Sequence, residues 1–203
     1  MIRNIVFDMG NVLIQFDPQM FMDREGIVSL EDREILRKEL FASAEWAMMD
    51  MGLETEDTFE PKLLKRLPEH LRAPASHLLR NWAFPRQTVP GMDDLVRRLK
   101  AAGYHLYLLS NASVRQPDYW TQMPIHTCFD GTLVSAFVKT IKPCPAIYRL
   151  FIEEFHLKEE ECLFIDDAPV NVAAAMACGW QGIVFYGSAE ELTARMRRMG
   201  LKF

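Results

Sequence analysis

The chain has 203 residues, of which 49% are hydrophobic and 25% are charged, and its formal net charge is −5. This composition is typical of a globular protein and excludes a disordered, collagen-like or low-complexity chain. The mildly acidic balance argues against non-specific nucleic-acid binding, because such binding needs a basic face that neutralises phosphates. The length allows one large domain, or a core domain with a smaller one.

No segment of the sequence has the pattern of a membrane span or an export signal. The first apolar run ends early, at Asp8, and no stretch of about 18 uninterrupted apolar residues follows it. None of the cysteines belongs to a C-x-x-C pair, so the sequence does not indicate a zinc site. We therefore expect reduced thiols and a cytoplasmic protein, with neither a membrane nor a nucleic acid as its partner.

The first predicted element is a strand, and a long helical region follows it. Asn4 to Phe7 is a short apolar run that ends at a polar turn, as a buried strand does. Helical patterns then cover 30–41, 45–51 and 71–82, and a further one begins at Thr55. Ser29 is the predicted cap of the first. No strand pattern interrupts them. We predict a helical insertion over about 16–88 that returns to the sheet near Val89.

Strand and helix patterns alternate in the rest of the chain. Strand patterns cover 104–109, 163–165 and 182–186, and helical patterns cover 92–99, 147–155, 170–178 and a stretch opened by Ser188 and Glu191. This alternation predicts a doubly wound α/β fold with a parallel sheet. The expected domains are an α/β core of residues 1–15 and 89–203 and a helical cap of residues 16–88. A cap inserted after a strand would lie over the edge where such sheets bind ligands.

Polar residues follow three of the predicted strands. Asp8 follows the first, Ser110-Asn111 the second and Asp166-Asp167 the third, while Lys142 lies in a loop between the last two. Each has an ordinary explanation by itself, because a strand-end Asp often forms a turn or a cap and most lysines are solvated. The carboxyl ends of parallel strands share one edge, however, so we expect these side chains to converge. Carboxylates suit a hard cation such as Mg²⁺, and a lysine with a hydroxyl suits a bound phosphate.

These residues resemble the motifs of the haloacid dehalogenase (HAD) superfamily. Ile5 to Leu13 is similar to the first motif, Leu108 to Asn111 to the second, Lys142-Pro143 to the third, and Phe164 to Asp167 with Asn171 to the fourth. The helical insertion resembles the helical cap of that superfamily, so the resemblance extends over nearly the whole chain. The F-D-x-G-N-V opening is most similar to a group that includes bacterial α-glucose-1-phosphate phosphatases.

The resemblance implies a phosphatase that acts on a small phosphorylated metabolite, with sugar phosphates as candidates. It implies that the Asp8 carboxylate attacks phosphorus and forms an aspartyl-phosphate, which water then hydrolyses. Ser110 and the Asn111 backbone amide would hold the phosphoryl oxygens, and Lys142 would neutralise developing charge. The implied ligands of the Mg²⁺ cofactor are Asp8, the carbonyl of Gly10, Asp166 and Asp167.

Gly10 departs from the usual D-x-D form of the first motif. The second aspartate of that motif is the acid and base of the family reaction, and glycine has no side chain for this role. General acid–base help is typically worth 10²–10⁴-fold. Three consequences stay open: a substrate whose leaving group needs little protonation, a proton supplied by Asp17 or a cap residue, or a slow or inactive protein. We expect the first, for example with an anomeric sugar phosphate or an acyl phosphate.

Two other functional interpretations compete with the phosphatase. One is a catalytically silent protein that binds a phosphorylated metabolite, and the other is a phosphomutase, which the missing proton shuttle disfavours. The retained Asp8 favours an enzyme, since a binding protein does not need a nucleophile. The Asp166-Asp167 pair argues against a metal-free dehalogenase. Candidate substrate contacts are Trp46, Trp82, Arg115 and Trp120, although packing is the ordinary role of the first two.

Overall fold

The computed structural model describes residues 1–84 and 87–203, and its centre is a five-stranded sheet. The strands are β1 (Asn4–Phe7), β2 (His105–Ser110), β3 (Gly131–Val134), β4 (Cys162–Asp166) and β5 (Gln181–Val184). They are parallel and lie in the order β3-β2-β1-β4-β5. Every residue of β1 is buried, because helices cover both faces of the sheet. This burial explains why β1 is continuously apolar after Asn4.

The edge strand β3 is an element that the sequence patterns did not predict. Its four residues include only two large apolar side chains, so no periodicity identifies it. It forms through parallel pairing with β2, from Tyr107 opposite Gly131 to Ser110 opposite Val134. Gly131 packs closely against α9, since an added Cβ would come within 2.3 Å of the Phe155 ring and would displace it.

The insertion between β1 and the second strand consists of helices joined by short turns and loops in its described residues. It contains α1 (Pro18–Arg24), α2 (Leu30–Leu36), a π-helical turn (Arg37–Phe41), α3 (Ala44–Asp50), α4 (Glu56–Arg66) and α5 (Glu69–Asn81). Two of these helices, α2 and α4, begin after the capping residues predicted from the sequence. The Ser29 hydroxyl accepts a hydrogen bond from the Asp32 amide, and Thr55 forms a reciprocal capping box with Thr58. Residues 85 and 86 of the predicted insertion lie outside the described residues.

The remaining helices are α6 (Met92–Ala101), α7 (Gln116–Trp120), α8 (Ser135–Val138), α9 (Pro145–Phe155), α10 (Pro169–Ala177) and α11 (Ala189–Arg198). Leu95 of α6 and Leu192 of α11 pack in the cluster on one face of the sheet. Phe151 of α9 and Ala175 of α10 pack in the cluster on the other face. The sheet is therefore covered on both sides, and the doubly wound α/β fold is confirmed. Within the described residues, the helices are too short or too polar to traverse a bilayer.

The insertion has a hydrophobic core of its own. Side chains from α1 to α5 form one buried cluster, which includes Phe21, Leu36, Phe59, Leu63 and Leu78. The two ends of the insertion lie side by side, because the Gln15 amide donates to the Gln87 carbonyl (2.8 Å) and the Val89 amide to the Leu13 carbonyl (3.0 Å). The division into domains at about residues 15 and 89 stays a prediction, and these two observations are consistent with it.

Candidate active site

Most of the strand-end residues singled out in the sequence line one cavity at the carboxyl ends of β1, β2 and β4. The core residues on its wall include Asp8, Gly10, Asn11, Ser110, Asn111, Lys142, Asp167 and Asn171. The cavity has a volume of about 230 Å³. Asp166 lies beneath this surface and is fully buried. The shared edge of the parallel strands brings together residues that are far apart in the chain.

Lys142 is the buried cation at the base of the cavity. Its Nζ atom donates to Asp8 Oδ1 at 2.6 Å, to Asp166 Oδ2 at 2.7 Å and to the Leu109 carbonyl at 3.0 Å. These contacts use all three hydrogens of the ammonium group. Its neighbouring carboxylates raise the pKa of Lys142 and offset the effect of burial, which would lower it. Lys142 is therefore held charged beside the nucleophile candidate.

Asn111 fixes the loop that carries this lysine. Its side-chain amide donates to the Lys142 carbonyl at 2.9 Å, and its side-chain oxygen accepts from the Lys142 backbone amide at 2.8 Å. This paired contact joins the end of β2 to the loop before α9. Asn111 also lies on the cavity wall, and its backbone amide is the group expected to meet a phosphoryl oxygen.

The two adjacent aspartates after β4 have different surroundings. Asp166 Oδ1 accepts from the Ala168 amide (2.8 Å) and the Asn171 side chain (3.1 Å), so this carboxylate holds the start of α10 as well as Lys142. Asp167 is partly exposed, and its Oδ2 accepts from the Asn11 side chain at 3.2 Å. Asn11 adopts a left-handed backbone conformation, with φ of 53°. Asparagine tolerates that conformation better than most residues.

Three of these carboxylates form a group that suits a divalent cation. Asp8, Asp166 and Asp167 each present an oxygen, and the three oxygens lie within 4.8 Å of one another. The pKa of Asp8 is raised to about 7, because burial and the charge of Asp166 together outweigh the lowering effect of Lys142. Burial also raises the pKa of Asp167. Hard oxygen donors of this kind fit Mg²⁺, which would relieve the mutual repulsion.

Residues of the insertion form the roof of the cavity. They are Phe16, Trp46, Met49, Asp50, Glu56, Leu79 and Trp82. The Trp82 ring contacts Phe16 with a centroid distance of 5.1 Å and Tyr119 of the core with 5.4 Å. The cavity thus has a polar floor from the strand ends and a roof of three aromatic rings, two aliphatic side chains and two carboxylates.

Two of the four candidate substrate contacts line this cavity. Trp46 and Trp82 are on its wall. Arg115 instead donates to the Arg80 carbonyl at 3.0 Å, and Trp120 is buried against Phe129 with ring centroids 4.9 Å apart. Asp17, the suggested proton source, is exposed and caps α1 by accepting from the Gln19 amide at 2.8 Å. It is not among the residues that line the cavity.

Two carboxylates on the cavity wall were not predicted from the sequence. Asp50 is the last residue of α3, and Glu56 is the first of α4. Glu56 accepts a hydrogen bond from the Ser113 hydroxyl at 2.9 Å. A signal for Asp50 did exist, since an acidic side chain in the last turn opposes the helix dipole and has to be compensated by its surroundings.

Comparisons with known proteins identify the family and related chains. The family model of haloacid dehalogenase-like hydrolases matches residues 2–179. The chain is 28% identical over 188 residues to a sesquiterpene phosphatase of Aspergillus oryzae, covering 88% of this chain and 87% of the relative. It is 23% identical over 188 residues to a D-ribitol-5-phosphate phosphatase of Bacteroides thetaiotaomicron, covering 89% and 90%.

A solved structure has the same fold. It is a HAD family enzyme of Bacteroides thetaiotaomicron in complex with magnesium and inorganic phosphate, with a TM-score of 0.71 and 20% identity over 95% of this chain and 99% of that one. The family model matches most of the present chain, and the curated relatives named above are phosphatases. The chain therefore belongs to the haloacid dehalogenase-like hydrolases.

Proposed function

We propose that this protein is a Mg²⁺-dependent phosphatase of small phosphomonoesters that works through an aspartyl-phosphate intermediate. The observation that carries this proposal is the position of Asp8. Its carboxylate lies at the floor of the cavity, 2.6 Å from a buried ammonium group and within a cluster of oxygen ligands. A carboxylate in such surroundings is suited to attack an electrophilic phosphorus.

Each of the other polar residues at the strand ends has a role in the proposal. Lys142 stabilises the negative charge that spreads over the phosphoryl oxygens, and Ser110 and the Asn111 backbone amide donate hydrogen bonds to them. Asp8, Asp167, Asp166 and the Gly10 carbonyl are the residues that would hold Mg²⁺. When bound, the metal supplies charge neutralisation for the phosphoryl group. The full engagement of Asp166 by Lys142, Ala168 and Asn171 favours an orienting role for this carboxylate.

The cavity favours a substrate with a small and uncharged organic group. Its carboxylates and its aromatic roof would repel a second anionic group but would accept a sugar ring or another neutral ring. One relative is named for a sugar-alcohol phosphate and another for a sesquiterpene phosphate. Sugar phosphates are therefore the first candidates, and esters of less polar alcohols are the second. The cap of residues 16–88 would exclude water from the reacting group.

The unpaired state of all four cysteines supports a reducing compartment, so we place the reaction in the cytoplasm. The expected partner is a small phosphorylated metabolite, since the acidic chain offers little to a nucleic acid.

The test is Mg²⁺-dependent phosphate release from a panel of phosphoesters. The panel contains sugar 1-phosphates, sugar 6-phosphates, an acyl phosphate, a terpenyl phosphate and an activated aryl phosphate. We expect release that chelation with EDTA stops and that Asp8→Asn lowers by about 10⁴-fold or more, since removal of a nucleophile is this costly in other hydrolases. Asp94→Asn, a change at an exposed carboxylate on α6 that pairs with Arg98, should retain full activity. Bound Mg²⁺ without release from any ester would instead indicate the silent binding protein.

A further inference from the structure

The Asp50 carboxylate is the acidic group of the roof that stands without a partner. Its backbone carbonyl accepts a hydrogen bond from the Ser135 hydroxyl at 2.5 Å, which fixes the end of α3 against the core. No donor or cation in residues 1–84 and 87–203 makes a hydrogen bond or ion pair with its side chain. The charged groups that act on it are Asp8, Lys142 and Glu56, all on the wall of the same cavity. Burial there raises the pKa of Asp50 to about 7.

Transfer of a phosphoryl group from an alkyl ester requires a proton at a defined place. An alkoxide is a poor leaving group, so the bridging oxygen needs a proton as its bond to phosphorus breaks. The water that later attacks the aspartyl-phosphate has to lose one. Gly10, two residues after the nucleophile, has no side chain that could do this.

The other titratable groups near the nucleophile are already engaged. Lys142 donates all three of its hydrogens to the acceptors described above, and Asp166 is fully buried among donors. Glu56 is bound by the Ser113 hydroxyl. Asp167 belongs to the oxygen cluster that suits a cation. Among the described carboxylates of the cavity, Asp50 alone is unpaired, faces the substrate space and stands outside that cluster.

We infer that Asp50 of the cap is the general acid and base of the reaction, an inference that rests on the proposed function. In the first half-reaction the Asp8 carboxylate bonds to phosphorus, the bond from phosphorus to the ester oxygen breaks, and the Asp50 carboxyl gives its proton to that oxygen. The products are an alcohol, an aspartyl-phosphate and an ionised Asp50.

In the second half-reaction Asp50 takes a proton from water as the water oxygen bonds to phosphorus and the bond to Asp8 breaks. Inorganic phosphate leaves, Asp8 is again a carboxylate, and Asp50 is again protonated. Atoms and charge balance over the cycle without a further reactant. The proton source is thus part of the roof and reaches the substrate only with the cap in place over the strand ends.

The experiment compares Asp50→Asn with the wild type on two esters, 4-nitrophenyl phosphate and the best alkyl phosphate of the panel. Asparagine keeps the shape of the side chain but cannot exchange a proton at this position. Asp17→Asn is the matched control, because asparagine still caps α1 and residue 17 lies outside the cavity. Rapid mixing measures the release of the alcohol, and steady-state assays measure kcat and KM.

We expect Asp50→Asn to lower kcat on the alkyl phosphate by about 10²–10⁴-fold with little change in KM. With 4-nitrophenyl phosphate, whose leaving group needs no proton, the variant should release a rapid burst of one nitrophenolate per active site. Slow turnover should follow, because hydrolysis of the aspartyl-phosphate has lost its base. Asp17→Asn should behave as the wild type on both esters.

Two results would overturn the role of Asp50. In the first, Asp8→Asn abolishes phosphate release, but Asp50→Asn hydrolyses both esters at the wild-type rate or slows alcohol release from both equally. The proposed function then stands and the role of Asp50 fails. If the wild type releases phosphate from no ester, the proposed function fails and the role of Asp50 fails with it. A thermal unfolding transition like that of the wild type establishes that the variant is folded in each case.

Discussion

The Nζ atom of Lys142 lies 2.6 Å from Oδ1 of Asp8, although 134 positions separate the two residues in the chain. A second carboxylate, Asp166, contacts the same ammonium group at 2.7 Å. One cation therefore faces two buried anions, and the site carries an excess negative charge that a metal ion can compensate. This relationship governs both the stability of the site and its chemistry.

Replacement of Lys142 by glutamine should destabilise the protein. The change leaves Asp8 and Asp166 facing each other without a cation, and loss of one partner of a buried ion pair typically costs about 3–5 kcal/mol. Urea unfolding in EDTA at pH 7.5 measures the loss. Lys100→Gln is the control, because that lysine pairs with Asp130 at the surface and should cost less than about 1 kcal/mol. Equal losses in the two variants would contradict this account of the site.

Asp50→Asn should become more stable relative to the wild type as pH rises. The pKa of Asp50 is about 7 in the folded chain because burial disfavours its charge, against 3.8 ordinarily. Between these values the folded chain holds a proton that the unfolded chain releases, so the wild type loses stability with increasing pH. The variant lacks this group, so its free energy of unfolding does not fall for this reason as pH rises.

Urea unfolding from pH 4 to pH 8 in EDTA measures this difference. The stability of Asp50→Asn minus that of the wild type should increase through the window and level off above about pH 8. Asp17→Asn should give a flat difference, since its carboxylate is exposed at the start of α1. A flat line for Asp50→Asn as well would mean that Asp50 ionises freely in the folded protein.

Asn11→Gly should weaken Mg²⁺ binding. Glycine adopts the left-handed backbone of residue 11 without strain. The change therefore removes the two side-chain hydrogen bonds of Asn11, the one that orients Asp167 and the one accepted from the Phe16 amide at 3.0 Å. Groups that hold a metal ligand in place are typically worth 10–100-fold in affinity. Calorimetric titration with MgCl₂ gives the Kd. Ser113→Ala, a change in the same cavity at a residue that contacts Glu56, should leave the Kd unaltered. An unaltered Kd in Asn11→Gly would show that Asn11 does not support the metal site.

A substrate that carries a second anionic group should be hydrolysed with a lower kcat/KM. Among the described residues that line the cavity, Lys142 is the cation, and it is already paired with two carboxylates. A second phosphate would approach Asp50 and Glu56, and like charges placed together cost several kcal/mol. We expect kcat/KM for a sugar 1,6-bisphosphate to be at least about tenfold below that for the sugar 1-phosphate. A bisphosphate that is the better substrate would show that the roof holds a cation in the closed complex.

Much of the fold could be predicted because it depends on local chemistry. The apolar run of β1 and the caps at Ser29 and Thr55 depend on residues close to each other in the chain. The alternation of strands and helices then placed Asp8, Ser110 and Asp167 at one sheet edge through a general rule of parallel sheets. The edge strand β3 was not predicted, because it forms through its pairing with β2 and has no clear hydrophobic pattern of its own.

The sequence by itself determined the α/β class, the helical insertion and the polar residues at the strand ends. It also showed that residue 10 has no side chain for proton transfer, but it could not identify a substitute, since Asp17 is closer in the chain whereas Asp50 lines the cavity. Tertiary structure decided that question, because α3 docks on the core through Ser135 and brings Asp50 to the cavity. The pairing of Lys142 with Asp8 was decided in the same way, since a contact between distant residues follows from the packing of whole elements and not from local patterns.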